Sequence, residues 1–141
     1  MKPDILTFLQ NNIFLVAVCV ISAAMLLWPL IQKATSGSKD VSVQQAVHLI
    51  NRRDAIVIDV RDNAEFASGH IPNARHIPAG EMEKRLKELE KFKQRPLILS
   101  CRSGPRAVSA SGILRKNGFQ EVFVLKGGIL GWQQASLPLE K

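Results

Sequence analysis

The chain has 141 residues, which is enough for one compact domain with an appendage but too few for two ordinary domains. Its formal net charge is +7, and only Lys2 and Asp4 are charged before residue 32, so the excess positive charge belongs to the rest of the chain. This charge suits attraction to an anionic membrane surface or to small anionic substrates. Nucleic acid is not expected as a partner, because the basic residues are dispersed without interleaved aromatic residues. A protein partner stays possible.

The first long segment is apolar. Residues 13–31, IFLVAVCVISAAMLLWPLI, carry no charge over nearly the ~20 residues that a membrane helix needs. Trp28 near the end of this run suits a membrane interface. The alternative is a cleaved signal peptide, which usually has a shorter apolar run, a more basic flank and a clearer cleavage site than the ATS at 34–36. We therefore predict a tail over 1–12 and a retained, single-pass membrane helix over 13–31.

A polar linker and a folded domain are predicted to follow this helix. Residues 32–40, QKATSGSKD, are small and polar, as in flexible linkers, and the domain is expected over 41–138. Lys33 and Lys39 follow the apolar run closely, whereas the single lysine before it is offset by an aspartate. The positive-inside rule then predicts an inner-membrane protein whose domain lies in the cytoplasm.

Strand and helix patterns alternate within the domain. The β-branched run AIVID at 55–59 predicts a strand that is buried on both faces. Strands are also predicted at 97–100 and 121–125, and helices over 43–51 (capped by Ser42), 62–67, 81–92 and 105–117; a turn with Gly127 and Gly128 leads into a last short helix. This order predicts an α/β fold, a small parallel sheet with helices on both faces. Ligands bind at the carboxyl ends of such strands, where Asp59 and Cys101 fall.

Cys101 has the surroundings of a reactive thiol. It follows a predicted strand and precedes a helix that has Pro105 in its first turn, so free amides and the helix dipole favour an anion there. Gly104 lets the backbone curl into a nest of amides, and Arg102 and Arg106 add positive charge. The pattern predicts an exposed thiolate nucleophile. The alternative is a core cysteine, but a core thiol does not need two arginines and a glycine turn.

Neither a disulfide nor a metal site is predicted. Cys19 lies in the apolar run and therefore does not pair with Cys101. The three histidines, His48, His70 and His76, are scattered without the spacing of metal ligands.

Three segments resemble the motifs of the rhodanese-like sulfurtransferases. CRSGPR at 101–106 is similar to their six-residue active-site loop, in which the cysteine carries a persulfide. IDVRDNAEFASGHIPNARHIP at 58–78 resembles the upstream motif of the family, and LKGGILGWQQASLP at 125–138 resembles its closing motif. A membrane helix with one such domain is similar to the membrane-anchored single-domain rhodaneses of bacteria.

The resemblance implies roles for individual residues. It makes Cys101 the nucleophile and persulfide carrier, so that no separate cofactor is needed. It makes the next five residues the binding loop around the persulfide, namely Arg102, Ser103, Gly104, Pro105 and Arg106. Asp59 and Arg61 match positions that brace this loop in the family, although a local ion pair at the end of a strand is an equally simple interpretation.

Three functions fit these patterns. In the first, Cys101 takes sulfane sulfur from a small anionic donor such as thiosulfate and passes it to a thiophilic acceptor such as cyanide or a thiol. The second is a scaffold at the membrane, which would not need an intact Cys101, Gly104 and Arg106. The third is a phosphatase or arsenate reductase of related fold, which the sequence disfavours because their loop is one residue longer between the cysteine and the arginine.

Overall fold

The computed structural model describes residues 4–35 and 39–141, which divide into two compact units on either side of residue 37. The N-terminal unit contains helices α1 (Ile5–Asn11) and α2 (Ile13–Thr35). Within α2, Ile13–Ile31 has a mean hydropathy of 2.6 and is long and apolar enough to cross a membrane. A retained membrane span and a signal sequence both have this composition.

The second unit contains a five-stranded sheet among the described residues, in the order β1-β5-β4-β2-β3. Its strands are β1 (Lys39–Val41), β2 (Ile56–Asp59), β3 (Arg75–His76), β4 (Leu97–Ser100) and β5 (Val122–Leu125). The pairings between them are parallel, with Ile58 opposite Leu99 and Leu99 opposite Val124. The predicted parallel α/β fold is therefore confirmed, and the carboxyl ends of the strands lie along one edge.

Helices cover both faces of the sheet. They are α3 (Val43–Arg53), α4 (Asn63–Ala67), α5 (Pro105–Lys116) and α6 (Gly128–Gln134). Because successive strand residues point to opposite faces, Leu99 packs in one core with Leu114 of α5, whereas Ile98 packs in the other with Ala46 of α3 and Trp132 of α6. Strands of a parallel sheet are buried on both faces for this reason.

The structure differs from the predicted linker over 32–40. Helix α2 continues through Thr35, Lys39 already belongs to β1, and residues 36–38 lie outside the described residues. Lys39 and Asp40 have no apolar strand pattern, but their backbones pair with the edge of β5. At the other end, Glu140 forms a bridge with His70, so the ordered domain is longer than 41–138 on both sides.

The segment 81–92 is not the predicted α-helix. It forms a 3-10 turn over Ala79–Glu81, further turns, and a 3-10 helix over Leu86–Phe92. Leu86, Leu89 and Phe92 recur every three residues and pack in the same core. A 3-10 helix has three residues per turn and places all three on one side, whereas an α-helix would spread them further around its axis.

Candidate active site

Cys101 lies at the carboxyl edge of the sheet, directly after β4. The following loop leads into α5, which begins at Pro105, and Gly104 has a φ of +135°. This conformation turns the Gly104 amide toward the cysteine, and its N–H donates to Sγ at 2.9 Å. The loop therefore supplies a hydrogen-bond donor to the sulfur at the start of a helix, where negative charge is favoured.

The thiol is not exposed, contrary to the sequence-based prediction. The Cys101 side chain is 1% exposed and belongs to the same core as Val60 and Ala107. The cysteine is thus both a core residue and the first residue of the loop. The amide of Gly104 takes the place of water as the polar neighbour of the sulfur.

The start of α6 holds the other side of the loop. The amide of Ile129 donates to the carbonyl oxygen of Cys101 at 2.9 Å, and the amide of Leu130 donates to that of Arg102 at 3.4 Å. Gly128 permits this approach, because a Cβ there would lie 2.7 Å from the Arg102 carbonyl oxygen and closer still to that of Cys101. The sequence indicated only a turn at Gly128, since nothing local shows which backbone passes against it.

Arg106 forms a bidentate ion pair with Glu65 of α4. Its two terminal nitrogens lie 2.8 and 3.1 Å from the carboxylate oxygens. These bonds and the Asp62 amide hold the pKa of Glu65 down at about 2, and Glu65 raises the pKa of Arg106. Glu65 was not predicted as a site residue, although it lies in the upstream motif and accepts a hydrogen bond from the Asp62 amide at 3.0 Å, as in a helix capping box.

Asp59 and Arg61 form a buried ion pair with each other. The Arg61 terminal nitrogen lies 2.7 Å from the Asp59 carboxylate, and the two side chains are 6% and 1% exposed, respectively. The same guanidinium donates to the carbonyl oxygen of Gly69 at 2.7 Å. The pair therefore ties the end of β2 to the segment that follows α4, and these hydrogen bonds do not include the Cys101 loop.

Two of the histidines stack on Phe66. The ring centroids of His70 and His76 lie 3.9 and 4.4 Å from that of Phe66, with nearly parallel planes. His76 Nε2 is 2.7 Å from the carbonyl oxygen of Arg61. These contacts pack the upstream motif around α4, which carries Glu65 toward Arg106.

A small cleft opens beside the loop at the carboxyl edge. Its volume is about 220 Å³, and its walls include Arg61, Glu65, Arg102, Gln133 and Leu139. Arg102 is exposed, as is Ser103. Arg102 therefore brings positive charge from the Cys101 loop to the cleft, which suits a small anion.

The sequence profile of the rhodanese-like domain matches residues 42–135. The chain belongs to the rhodanese-like sulfurtransferase family. The matched region contains the Cys101 loop, the Arg106–Glu65 pair and Gly128, so the geometry described above is that of the rhodanese-like domain itself.

Relatives in sequence and structure agree with this assignment. The chain is 39% identical over 106 residues to the uncharacterized protein YibN of Escherichia coli K12, covering 74% of each chain. It is 30% identical over 97 residues to the thiosulfate sulfurtransferase GlpE of Pseudoalteromonas translucida, covering 69% of this chain and 90% of that one. The crystal structure of a rhodanese-related protein from Thermoplasma volcanium superposes with a TM-score of 0.65 at 25% identity, covering 72% of this chain and 97% of the other.

Proposed function

We propose that this protein is a membrane-anchored sulfurtransferase that carries sulfane sulfur as a persulfide on Cys101. The observation that carries the proposal is the Gly104 amide bonded to Sγ at 2.9 Å, in a loop that opens into the N-terminus of α5. Backbone amides held in place before reaction are suited to stabilising negative charge on sulfur. Sulfur transfer also agrees with the name of the GlpE relative, a thiosulfate sulfurtransferase.

The first half-reaction loads the enzyme. The Cys101 thiolate attacks the outer sulfur of a thiosulfate-like donor, a new S–S bond forms, and the original S–S bond breaks. The electron pair of the broken bond leaves with the sulfite product. The negative charge then sits on the terminal persulfide sulfur, where N–H groups of the loop, such as that of Gly104, can donate to it. Because the sulfur is carried by the cysteine, this reaction needs no separate cofactor.

The second half-reaction removes the sulfur from the enzyme. A thiophilic acceptor, such as cyanide or a thiolate, attacks the terminal sulfur, and the S–S bond electrons return to Cys101 as thiolate. Exposed Arg102 beside the cleft favours anionic donors and acceptors by its charge. Arg106 has a different role, because its guanidinium is bonded to Glu65 and thereby fixes the end of the loop.

The two cysteines permit a matched test of the mechanism. In Cys101→Ser the soft thiolate is replaced by a hydroxyl that stays protonated at neutral pH, so we expect sulfur transfer from thiosulfate to cyanide to vanish. Cys19→Ser should keep full activity. Mass spectrometry after incubation with thiosulfate should show the gain of one sulfur atom in the wild type and in Cys19→Ser only. Transfer at the wild-type rate by Cys101→Ser would refute the mechanism, and a scaffold would bind its partners equally well in both variants.

We further propose that helix 13–31 is retained in the inner membrane and that the domain lies in the cytoplasm. Lys33 and Lys39 after the apolar run support this orientation. The orientation can be read from Lys141→Cys in a Cys19→Ser background, since residue 141 is exposed whereas Cys101 is buried. A membrane-impermeant maleimide should label it only after the cells are permeabilised, and labelling of intact cells would reverse the assignment.

A further inference from the structure

The edge of the sheet opposite Cys101 carries a cluster of cations. Because the strands are parallel, their amino ends lie together at this edge, and the helices that return from the carboxyl edge end there too. We define the basic edge by six cations that stand at strand starts, at helix ends or in the segment before β4: Arg53, Arg75, Lys91, Lys93, Arg95 and Lys116.

Phe92 joins several of these cations into one patch. Arg75, Lys91 and Arg95 stand over its ring, with the Cζ, Nζ and Cζ atoms 4.7, 5.1 and 5.5 Å from the centroid. Lys93 stands in the same way over Phe119, at 5.5 Å. The rings are buried under the cations and keep them side by side at the surface.

The acidic residues at this edge do not neutralise it. Glu121 is bonded to Arg53 at 2.8 Å, which leaves that pair without net charge. Asp54 and Glu90 are exposed nearby in the chain, and Glu88, which is bonded to Arg85, also interacts with Arg75. The five remaining cations of the basic edge outnumber these three carboxylates. Cations at helix ends such as Lys116 and Lys91 also interact with the carbonyl ends of their helices, whereas Arg75, Lys93 and Arg95 lie outside the helices.

We propose that the basic edge docks on an anionic lipid surface. Clustered Lys and Arg at a protein surface bind anionic lipid headgroups by charge alone. The amino edge is also where the domain continues from the apolar helix, since Lys39 begins β1 and only residues 36–38 separate it from Thr35 in the sequence. Nucleic acid fits less well, because single strands stack their bases on exposed aromatic rings, whereas Phe92 and Phe119 are 7% and 3% exposed.

Docking at this edge has a consequence for the proposed chemistry. Cys101 and its cleft lie at the carboxyl edge, so an edge-on contact through the amino ends leaves the sulfur site open to soluble donors and acceptors. The docking proposal rests on the proposed retention of helix 13–31 in the membrane, but it does not depend on sulfur transfer. It can therefore be tested in a chain that lacks both cysteines.

The test uses the full chain in lipid nanodiscs, with Cys19 and Cys101 replaced by serine and one fluorophore attached at a new cysteine. Gln120→Cys places it at the amino edge just before β5, and Asn63→Cys places it at the carboxyl edge at the start of α4. Nanodiscs contain a headgroup-labelled quencher lipid in phosphatidylcholine, with or without phosphatidylglycerol. We expect quenching at residue 120 only with phosphatidylglycerol, its loss at high salt, and little quenching at residue 63.

Charge variants make the test specific. Each lysine near an anionic surface raises the docking equilibrium constant about fivefold. The double variant Lys91→Gln with Lys116→Gln should therefore lower this constant about 25-fold and abolish most of the quenching. Lys126→Gln with Lys141→Gln removes the same charge elsewhere and should leave it unchanged. Equal quenching at both labels or in both lipids would overturn the proposal. The proposal would also be overturned if an RNA oligonucleotide bound through Lys91 and Lys116 and the quenching did not depend on the lipid composition.

Discussion

At the scale of single residues, the position of the Cys101 loop depends on a glycine that is not part of the loop. Gly128 has a φ of +56°, and the space where a Cβ would stand is occupied by the backbone of Cys101 and Arg102. A side chain at this position would strain its own backbone and push the loop away from α6. The amides of Ile129 and Leu130 would then lose the carbonyl oxygens that they hold.

We therefore predict that Gly128→Ala impairs both stability and sulfur transfer. Left-handed strain and overpacking together should cost about 2–4 kcal/mol of unfolding free energy. Displacement of the loop by about an ångström can lower the rate about 100-fold. Chemical unfolding and a thiosulfate:cyanide assay measure the two effects.

Gly112 is the matched control for that substitution. It lies inside α5, its φ is not positive, and no atom beyond the adjacent residues and the nearby backbone of α5 lies within 4 Å of the Cβ position. Gly112→Ala should stabilise the protein by about 0.5–1 kcal/mol through helix propensity and leave the rate unchanged. If Gly128→Ala also stabilised the protein and left the rate unchanged, the close contact between Gly128 and the backbone of Cys101 and Arg102 would not support the loop.

At the scale of elements, one ion pair connects α4 with the end of the Cys101 loop. Glu65 belongs to α4, and Arg106 is the second residue of α5. The pair is partly exposed, with side chains 30% and 37% accessible, so solvent limits its contribution to stability to about 1 kcal/mol or less. Its main effect is geometric, because it orients the end of the loop that surrounds the sulfur.

This pair predicts a pH dependence of stability with a definite sign. The folded state lowers the pKa of Glu65 from 4.5 to about 2, so its carboxylate stabilises the fold above pH 4.5. That stabilisation is lost as the pH falls from 4.5 to about 2, where the folded carboxyl takes up its proton. Glu65→Gln should be less stable at neutral pH, and unfolding curves should show its deficit shrinking across this window.

The activity of the same variant tests the geometric role. Without the Glu65 carboxylate Arg106 keeps only the longer contact with Asp62, at 3.9 Å, so its position is less restrained. We expect sulfur transfer to fall by about 10- to 100-fold. Glu88→Gln is the control, since it removes a comparable ion pair, with Arg85 at 2.8 Å, that does not include a residue of the loop. Equal loss in both variants would show a general effect of charge instead.

At the scale of the whole molecule, the domain should work without the apolar helix. A chain that begins at residue 36 keeps every strand of the described sheet, and we expect it to be soluble, folded and active. A chain that begins at residue 42 lacks β1. This shorter chain loses the buried Val41 side chain, the hydrogen bond from the Lys126 amide to the Val41 carbonyl oxygen, and the strand that covers β5. The free energy of unfolding should fall by about 2 kcal/mol or more.

Thermal unfolding and activity of the two shortened chains separate the possibilities. Equal stability would mean that β1 is dispensable and would favour the linker that the sequence alone predicted over 32–40. Aggregation of the chain that begins at residue 36, or loss of its activity while it stays folded, would instead make the apolar helix part of the working domain.

Local sequence determined the features that a short window encodes. The apolar run at 97–100, Pro105 at the start of α5 and the spacing from Cys101 to Arg106 predicted a strand, a loop and a helix in that order, and the structure has them. The alternation of such units was enough for the parallel α/β fold. These features depend on backbone propensity and side-chain period, which neighbouring residues set among themselves.

Tertiary structure decided what depends on distance between segments. Glu65 meets Arg106 across 41 residues, β1 exists only because β5 offers an edge, and the Cys101 thiol is buried because α5 and β2 close over it. Gly128 is required because another backbone passes there, not because of its own turn. Sequence patterns show which face of a helix or strand is apolar. Only tertiary packing determines which residues of distant elements contact that face.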